Sequence, residues 1–201
     1  MKPEDMSIKM VFVVTLYGMV VNQVYGQQEI SEDCLTRPNT KQPTECCQMP
    51  DLIPPRIKVF ACIKKIIKSR GPHRTSRNPH GFPPKYNCIS ECLFEQEGVI
   101  ANGVLSKEAA TTALIAVVGS GWQTVASTSI ETCYAKYSSL GNQKDKLGCS
   151  MTAGSFKECV QTTMFTNCPN EFWTANTECA QLKAHLEKGC PLMTLSMAFN
   201  R

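Results

Sequence analysis

Apolar positions along the chain recur three and four apart in one segment after another, which is the period of a helix with one buried face. From about Arg56 to Ser69, Val59, Cys62, Ile63 and Ile66 share a side, while Lys58, Lys64, Lys65 and Lys68 lie away from it. Gly71-Pro72 ends that run. A second helix is predicted over Tyr86–Glu97 and stops at Gly98, with Cys88 and Cys92 one turn apart on one face. Ser106 is placed to N-cap a third helix, with Lys107 and Glu108 in its first turn. Its stripe is Ala110, Ala113, Leu114, Val117 and Val118, broken by Gly119-Ser-Gly121. A fourth carries Trp122, Val125, Ala126, Ile130, Cys133, Tyr134 and Tyr137 on one side and stops near Gly141. Ser155 and Glu158 have capping-box spacing and predict the start of a fifth, with Phe156, Cys159, Val160 and Met164 facing in. A sixth is predicted from Glu171 to Lys188, ended by Gly189 and Pro191.

Other segments break this period. Met10 to Val21 is an apolar run of about a dozen residues, shorter than the roughly 20 a spanning helix needs. Lys9 precedes it, and Val24 and Gly26 offer the small residues a signal peptidase prefers. Residues 1–26 are therefore read as a secretory signal and 27–201 as the mature domain. Residues 27–56 are polar and proline-dotted and predict an irregular arm; residues 70–85, with Pro72, Pro79, Pro83 and Pro84, predict a loop. From Pro191 to Phe199, Met193, Leu195, Met197 and Phe199 alternate with small or polar residues, which predicts an extended tail with one apolar face. No strand pair and no internal repeat are evident, so the fold is expected to be all-α.

The cysteines change this picture most. There are twelve, at 34, 46, 47, 62, 88, 92, 133, 149, 159, 168, 179 and 190, all behind the leader. An even number in a secreted chain implies a disulfide framework. Metal binding is disfavoured, because no Cys-x-x-Cys pair is present and the histidines are only His73, His80 and His185. Adjacent Cys46 and Cys47 are not expected to join each other, since that ring is strained. Six bridges at roughly 2–4 kcal/mol each would hold a shell stable enough to leave a hydrophobic pocket partly empty.

Charge adds one feature. The net charge is +4, and between Leu52 and Ser90 there are nine Lys or Arg and no acidic residue. A solvated loop accounts for most of this run, and an anionic surface or acidic receptor face is the functional counterpart. With few aromatics for base stacking, nucleic acid is not an expected partner. Catalytic patterns fail on specifics: Cys46-Cys47-Gln48-Met49 leads to Pro50 and lacks the histidine of a secreted phospholipase, and Gly119-Ser120-Gly121 is not a nucleophile elbow. The chain is read as a non-enzyme without cofactor.

In its cysteine spacing the chain resembles the insect odorant-binding proteins, and among them the enlarged Plus-C branch. That family has three residues between its second and third cysteines and eight between its fifth and sixth; Cys88-x3-Cys92 and Cys159-x8-Cys168 fit. Cys62 takes the first position (Cys47 is the alternative) and Cys133 the fourth. The six extra cysteines, and Pro169 directly after Cys168, are marks of the Plus-C type.

The resemblance implies a compact bundle of about six to eight helices cross-linked by six disulfides. The family's interlocked pairing, carried over, gives Cys62–Cys92, Cys88–Cys159 and Cys133–Cys168, and leaves Cys34, Cys46, Cys47, Cys149, Cys179 and Cys190 unassigned. It implies a secreted extracellular carrier of small hydrophobic molecules (odorant, pheromone or lipid-like), with a membrane receptor or a second copy of the chain as further partners. Pocket candidates are Phe60, Leu93, Leu114, Val118, Trp122, Val125, Tyr134, Phe156, Val160 and Met164, closed by the tail residues Met193, Leu195, Met197 and Phe199. Tyr134, Tyr137 and Ser129 are candidates to orient a ligand, and the histidines to titrate near a membrane. The alternative is a secreted interaction protein with a filled core that binds through its basic region.

Overall fold

Helical periodicity decides most of the architecture, because each apolar stripe finds another stripe to cover it. The computed structural model describes residues 31–36, 38–39, 41–52, 55–70, 86–141 and 143–197. The leader, the first residues of the arm, the 71–85 loop with His73 and His80, and Phe199 lie outside the described residues. Two short helices come first, α1 (Glu32–Leu35) and α2 (Pro43–Cys46), followed by α3 (Arg56–Arg70) and α4 (Tyr86–Gln96). A two-stranded hairpin, β1 (Ile100–Ala101) and β2 (Val104–Leu105), leads into α5 (Lys107–Ile115) and α6 (Gln123–Tyr137). The chain ends with α7 (Met151–Thr166), α8 (Thr177–Glu187) and α9 (Thr194–Met197). The core lies where α7 packs against both α4 and α6, and α5 closes over α6. Phe156, Met164 and Phe165 of α7 and Leu182 of α8 are fully buried there.

Gly154 permits the closest of these approaches. A β-carbon there would collide with the Asn87 Oδ1 on α4, so a larger residue would displace the Asn87 side chain from its bond to Asp145.

The hairpin is a departure from the expected all-helical trace. Gly98, at φ 70°, ends α4, and Asn102 and Gly103, at φ 52° and 78°, form the tight turn. An Asn-Gly pair with both φ positive is the two-residue connection that matches strand twist. The register pairs Ile100 with Leu105, and both side chains are buried. This signal is present in the sequence, in a pair of strands too short to show alternation.

Three predicted boundaries move for identifiable reasons. Helix α7 begins at Met151, a turn before Ser155. The preceding loop is folded around Asp145, whose carboxylate accepts the N–H groups of Leu147 and Cys149 at 2.8 and 2.9 Å. Glu158 is therefore not a capping residue; it is buried in mid-helix. Helix α8 begins at Thr177, N-capped by Asn176, which accepts the Cys179 N–H at 2.7 Å. The residues before it are held extended by the arm: Gln48 N–H donates to Phe172 C=O and Thr174 N–H to Cys46 C=O, at 3.0 and 2.8 Å. The tail is also not extended, since Thr194–Met197 form a single helical turn with Leu195 fully buried.

All twelve cysteines are paired. Cys62–Cys92 joins α3 to α4 as expected. Two expected bridges are corrected: Cys88 pairs with Cys149 and Cys133 with Cys159. The interlocked order survives, first to third, second to fifth and fourth to sixth, with Cys149 and Cys159 in the last two places. The Asp145 loop sets Cys149 against α4, tied by Asn87 to Asp145 at 3.0 Å and by Ser150 N–H to Glu91 at 2.9 Å. Cys159 lies within α7, the helix packed against the α6 that carries Cys133. Cys168, beyond the end of α7, joins Cys47 of the arm. The remaining bridges are Cys46–Cys179 and Cys34–Cys190, so the N-terminal arm is pinned entirely to the C-terminal third.

Candidate functional site

The apolar faces of α4, α5, α6 and α7 do not close completely. Between them lies a cavity of about 370 Å3, within the range of small-ligand sites. Helix α4 contributes Leu93 and Phe94, and the start of the hairpin adds Val99. Helix α5 supplies Ala110, Ala113 and Leu114, α6 supplies Ile130, and α7 supplies Phe156 and Val160. Phe94 and Phe156 meet edge to face, with ring centres 6.1 Å apart, a preferred aromatic geometry that fixes this wall. The two alanines matter by their size, since larger side chains on that face of α5 would fill the space.

Polar groups gather at the rim. Asp51, Leu52 and Pro55 come from the segment after Cys47, Lys58 from α3, Glu97 from the end of α4, and Lys157 and Gln161 from α7. Lys58 is ion-paired with Glu97. Lys157 rests over the Tyr86 ring, 5.0 Å from its centre. Burial holds the Lys157 ammonium below its usual pKa, opposed by the neighbouring Glu158 charge.

Glu158 itself points to another part of the molecule. It accepts the Met193 N–H at 3.0 Å and the Tyr86 hydroxyl at 3.4 Å. Burial raises its pKa, against these hydrogen bonds and the Lys157 charge. Burial and the Glu158 charge likewise raise that of Tyr86. Glu158 thus ties the C-terminal segment to α7.

Of the residues singled out from sequence, the structure brings Leu93, Leu114, Phe156 and Val160 together around the cavity. Val118, Trp122, Met164 and Leu195 are buried in the core outside its lining, and Val125 and Tyr134 pack against that core. Trp122 instead stacks on Phe172, with ring centres 5.5 Å apart. Phe60 is 60% exposed on α3 and is no part of the wall. Met193 is half-buried at the Glu158 tie, and no described residue of the tail lines the cavity. Met197 closes α9. Ser129 is buried away from the lining, and Tyr137 is half-buried beside Lys136. Phe94, Val99 and Ile130 were within reach of sequence reasoning as apolar neighbours, but periodicity does not say which core residues face a void. Lys157 and Gln161 carry no sequence signal beyond their spacing.

His185 is buried near the clasp, hydrogen-bonded to the Cys34 backbone, and its pKa is lowered, chiefly by burial. Cys88, Asp145 and Cys149 come together, but the two sulfurs are joined in a disulfide and offer no thiolate to a metal.

Comparison with known proteins adds the remaining evidence. A family profile described as AgamOBP47-like matches residues 59–185. General odorant-binding protein 67 of Anopheles gambiae is 27% identical over 157 residues, covering 75% of each chain. Odorant-binding protein 47 of Anopheles gambiae is 26% identical over 175 residues, covering 80% of this chain and 74% of its own.

Proposed function

The chain belongs to the AgamOBP47-like family of insect odorant-binding proteins, and on that premise we propose that it is a secreted carrier, which takes up a small hydrophobic molecule reversibly and moves it through aqueous fluid to a receptor. The observation that carries this reading is the cavity of about 370 Å3 walled by Leu93, Phe94, Leu114, Phe156 and Val160. A ligand there is bound by removal of apolar area from water, at roughly 25 cal/mol per Å2. Micromolar affinity, about 8 kcal/mol, suffices for uptake and release. No covalent step is needed, in keeping with a family of binding proteins.

Secretion is part of the proposal. Residues 1–26 direct export, and residues 27–201 form one mature domain with its arm and tail tethered by disulfides. Six bridges require an oxidising compartment. Among the described residues no helix is long and apolar enough to cross a membrane.

One observation favours a second reading. On α3, Ile57 and Phe60 are 78% and 60% exposed beside Lys64 and Lys65, a surface suited to a protein or anionic partner. Displacement of a fluorescent apolar probe from oxidised residues 27–201, by a panel of volatile and lipid ligands, separates the two. Saturable competition at micromolar concentrations is the result expected of a carrier. A protein that binds no ligand between mildly acidic and neutral pH, with its bridges intact, is the α3-mediated interaction protein.

A further inference from the structure

The cavity wall is chemically uneven along α7. Phe156 and Val160 form an apolar strip, and the residue after each, Lys157 and Gln161, also lines the cavity. Positions four apart lie one turn above another on a helix, so the ammonium and the carboxamide are neighbouring donors beside an apolar floor. Both side chains are half-buried.

The other charges near this strip are already engaged. Lys58 is paired with Glu97. Glu158 takes the Met193 N–H and the Tyr86 hydroxyl. Asp51 has an interaction of its own. Lys157, by contrast, has no carboxylate within ion-pair distance among the described residues. Its ammonium contacts the face of Tyr86, which solvates a cation less well than an anion does. The carboxamide of Gln161 makes no hydrogen bond among the described residues. The ammonium feels the Glu158 charge but makes no ion pair with it, and beside a donor without an acceptor it leaves favourable interactions unmade.

We propose that Lys157, supported by Gln161, selects ligands in which an apolar chain ends in a carboxylate, with the chain on Phe156, Val160 and Leu114 and the head group at Lys157. This deepens the carrier reading and rests on it. A carboxylate matches the site in charge and in number: one negative charge for one ammonium that makes no ion pair, and two oxygens for two donors. A phosphate would bring a second negative charge close to Glu97 and Asp51 without a cation to balance it. Burial, the same factor that lowers the ammonium's pKa, strengthens its attraction for an anion by excluding water.

The test compares decanoate with decanol, two ligands of equal chain length, by displacement of N-phenylnaphthylamine at neutral pH. Wild-type protein is expected to bind decanoate on the order of tenfold more tightly than decanol, as a charge-assisted hydrogen bond requires. In Lys157→Met, the preference for decanoate should be lost, the two ligands binding about equally, with an unchanged far-ultraviolet circular dichroism spectrum as the control for folding. Lys157→Arg should keep the preference. If wild type binds decanol as tightly as decanoate, or Lys157→Met weakens both equally, the assignment of Lys157 is overturned and the carrier remains. If the probe binds and neither ligand displaces it, the carboxylate assignment falls and the carrier remains; if the probe itself does not bind, the carrier reading falls and takes this one with it.

Discussion

The helical core and the terminal clasp are held by the same number of bridges but stabilised in different ways. In the core, Cys62–Cys92, Cys88–Cys149 and Cys133–Cys159 join residues 30, 61 and 26 apart. Two of them link helices whose stripes already cover one another, and Cys88–Cys149 ties α4 to the loop that leads into α7. In the clasp, Cys34–Cys190, Cys46–Cys179 and Cys47–Cys168 join residues 156, 133 and 121 apart. Among its described residues the arm they hold has two helices of four residues each, too short to bury a stripe or to stand alone. Chain-entropy arguments give each long-range bridge roughly 1 kcal/mol more effect than a short-range one. Covalent links are thus longest in reach where side-chain packing has least to offer.

The comparison breaks most easily in the core. Phe156→Ala removes a fully buried ring from the meeting of α4 and α7 and should cost about 3–5 kcal/mol, read as a lower midpoint in chemical denaturation. If instead this variant unfolds at the wild-type midpoint, packing is not what holds the core.

A smaller loss is expected from the clasp. Replacing Cys47 and Cys168 together by Ala should cost about 2–4 kcal/mol, with little change in helical circular dichroism, since no long helix depends on that bridge. Leu52 and Pro55 at the cavity rim follow Cys47, so probe binding should weaken as well. Loss of most helical signal would show that the core cannot form without the clasp.

The smallest effect is one of pH, again in the clasp. His185 has a lowered pKa through burial, so the folded protein resists taking a proton that the unfolded chain accepts. Its contribution is fully present above the ordinary histidine pKa and is lost as pH falls through that value toward the folded one. Glu158, raised by burial, acts in the opposite sense: the folded state gains stability as pH falls through its raised pKa toward the ordinary carboxylate value. Relative to wild type, His185→Phe should therefore lose less thermal stability between neutral and mildly acidic pH, read as the difference between the two midpoint-against-pH slopes. An identical slope in both proteins would remove His185 from the account.

Much of the fold was legible. The stripes of α3 to α6, the Ser106 cap and the glycine stops at Gly98 and Gly189 follow from local rules that act within one or two turns. The cysteine count and the Cys88-x3-Cys92 spacing were enough to point to the family. The misplaced features depend on distant partners: the start of α7 on a loop held by Asn87 and Glu91 of α4, the start of α8 on arm residues more than a hundred positions away. Of the site, Leu93, Leu114, Phe156 and Val160 were accessible as apolar residues on stripes, whereas the exposed Phe60 shares their pattern without their environment.

What the sequence determined by itself is the presence of the six longer helices α3 to α8, most of their buried faces and the need for an oxidised framework, because periodicity and cysteine number are properties of the chain. Which cysteines meet, whether the stripes close on one another or leave a space, and which cation faces that space without an ion pair were decided only by tertiary structure. Those properties are differences between facing surfaces, and a surface has no partner until the chain has folded.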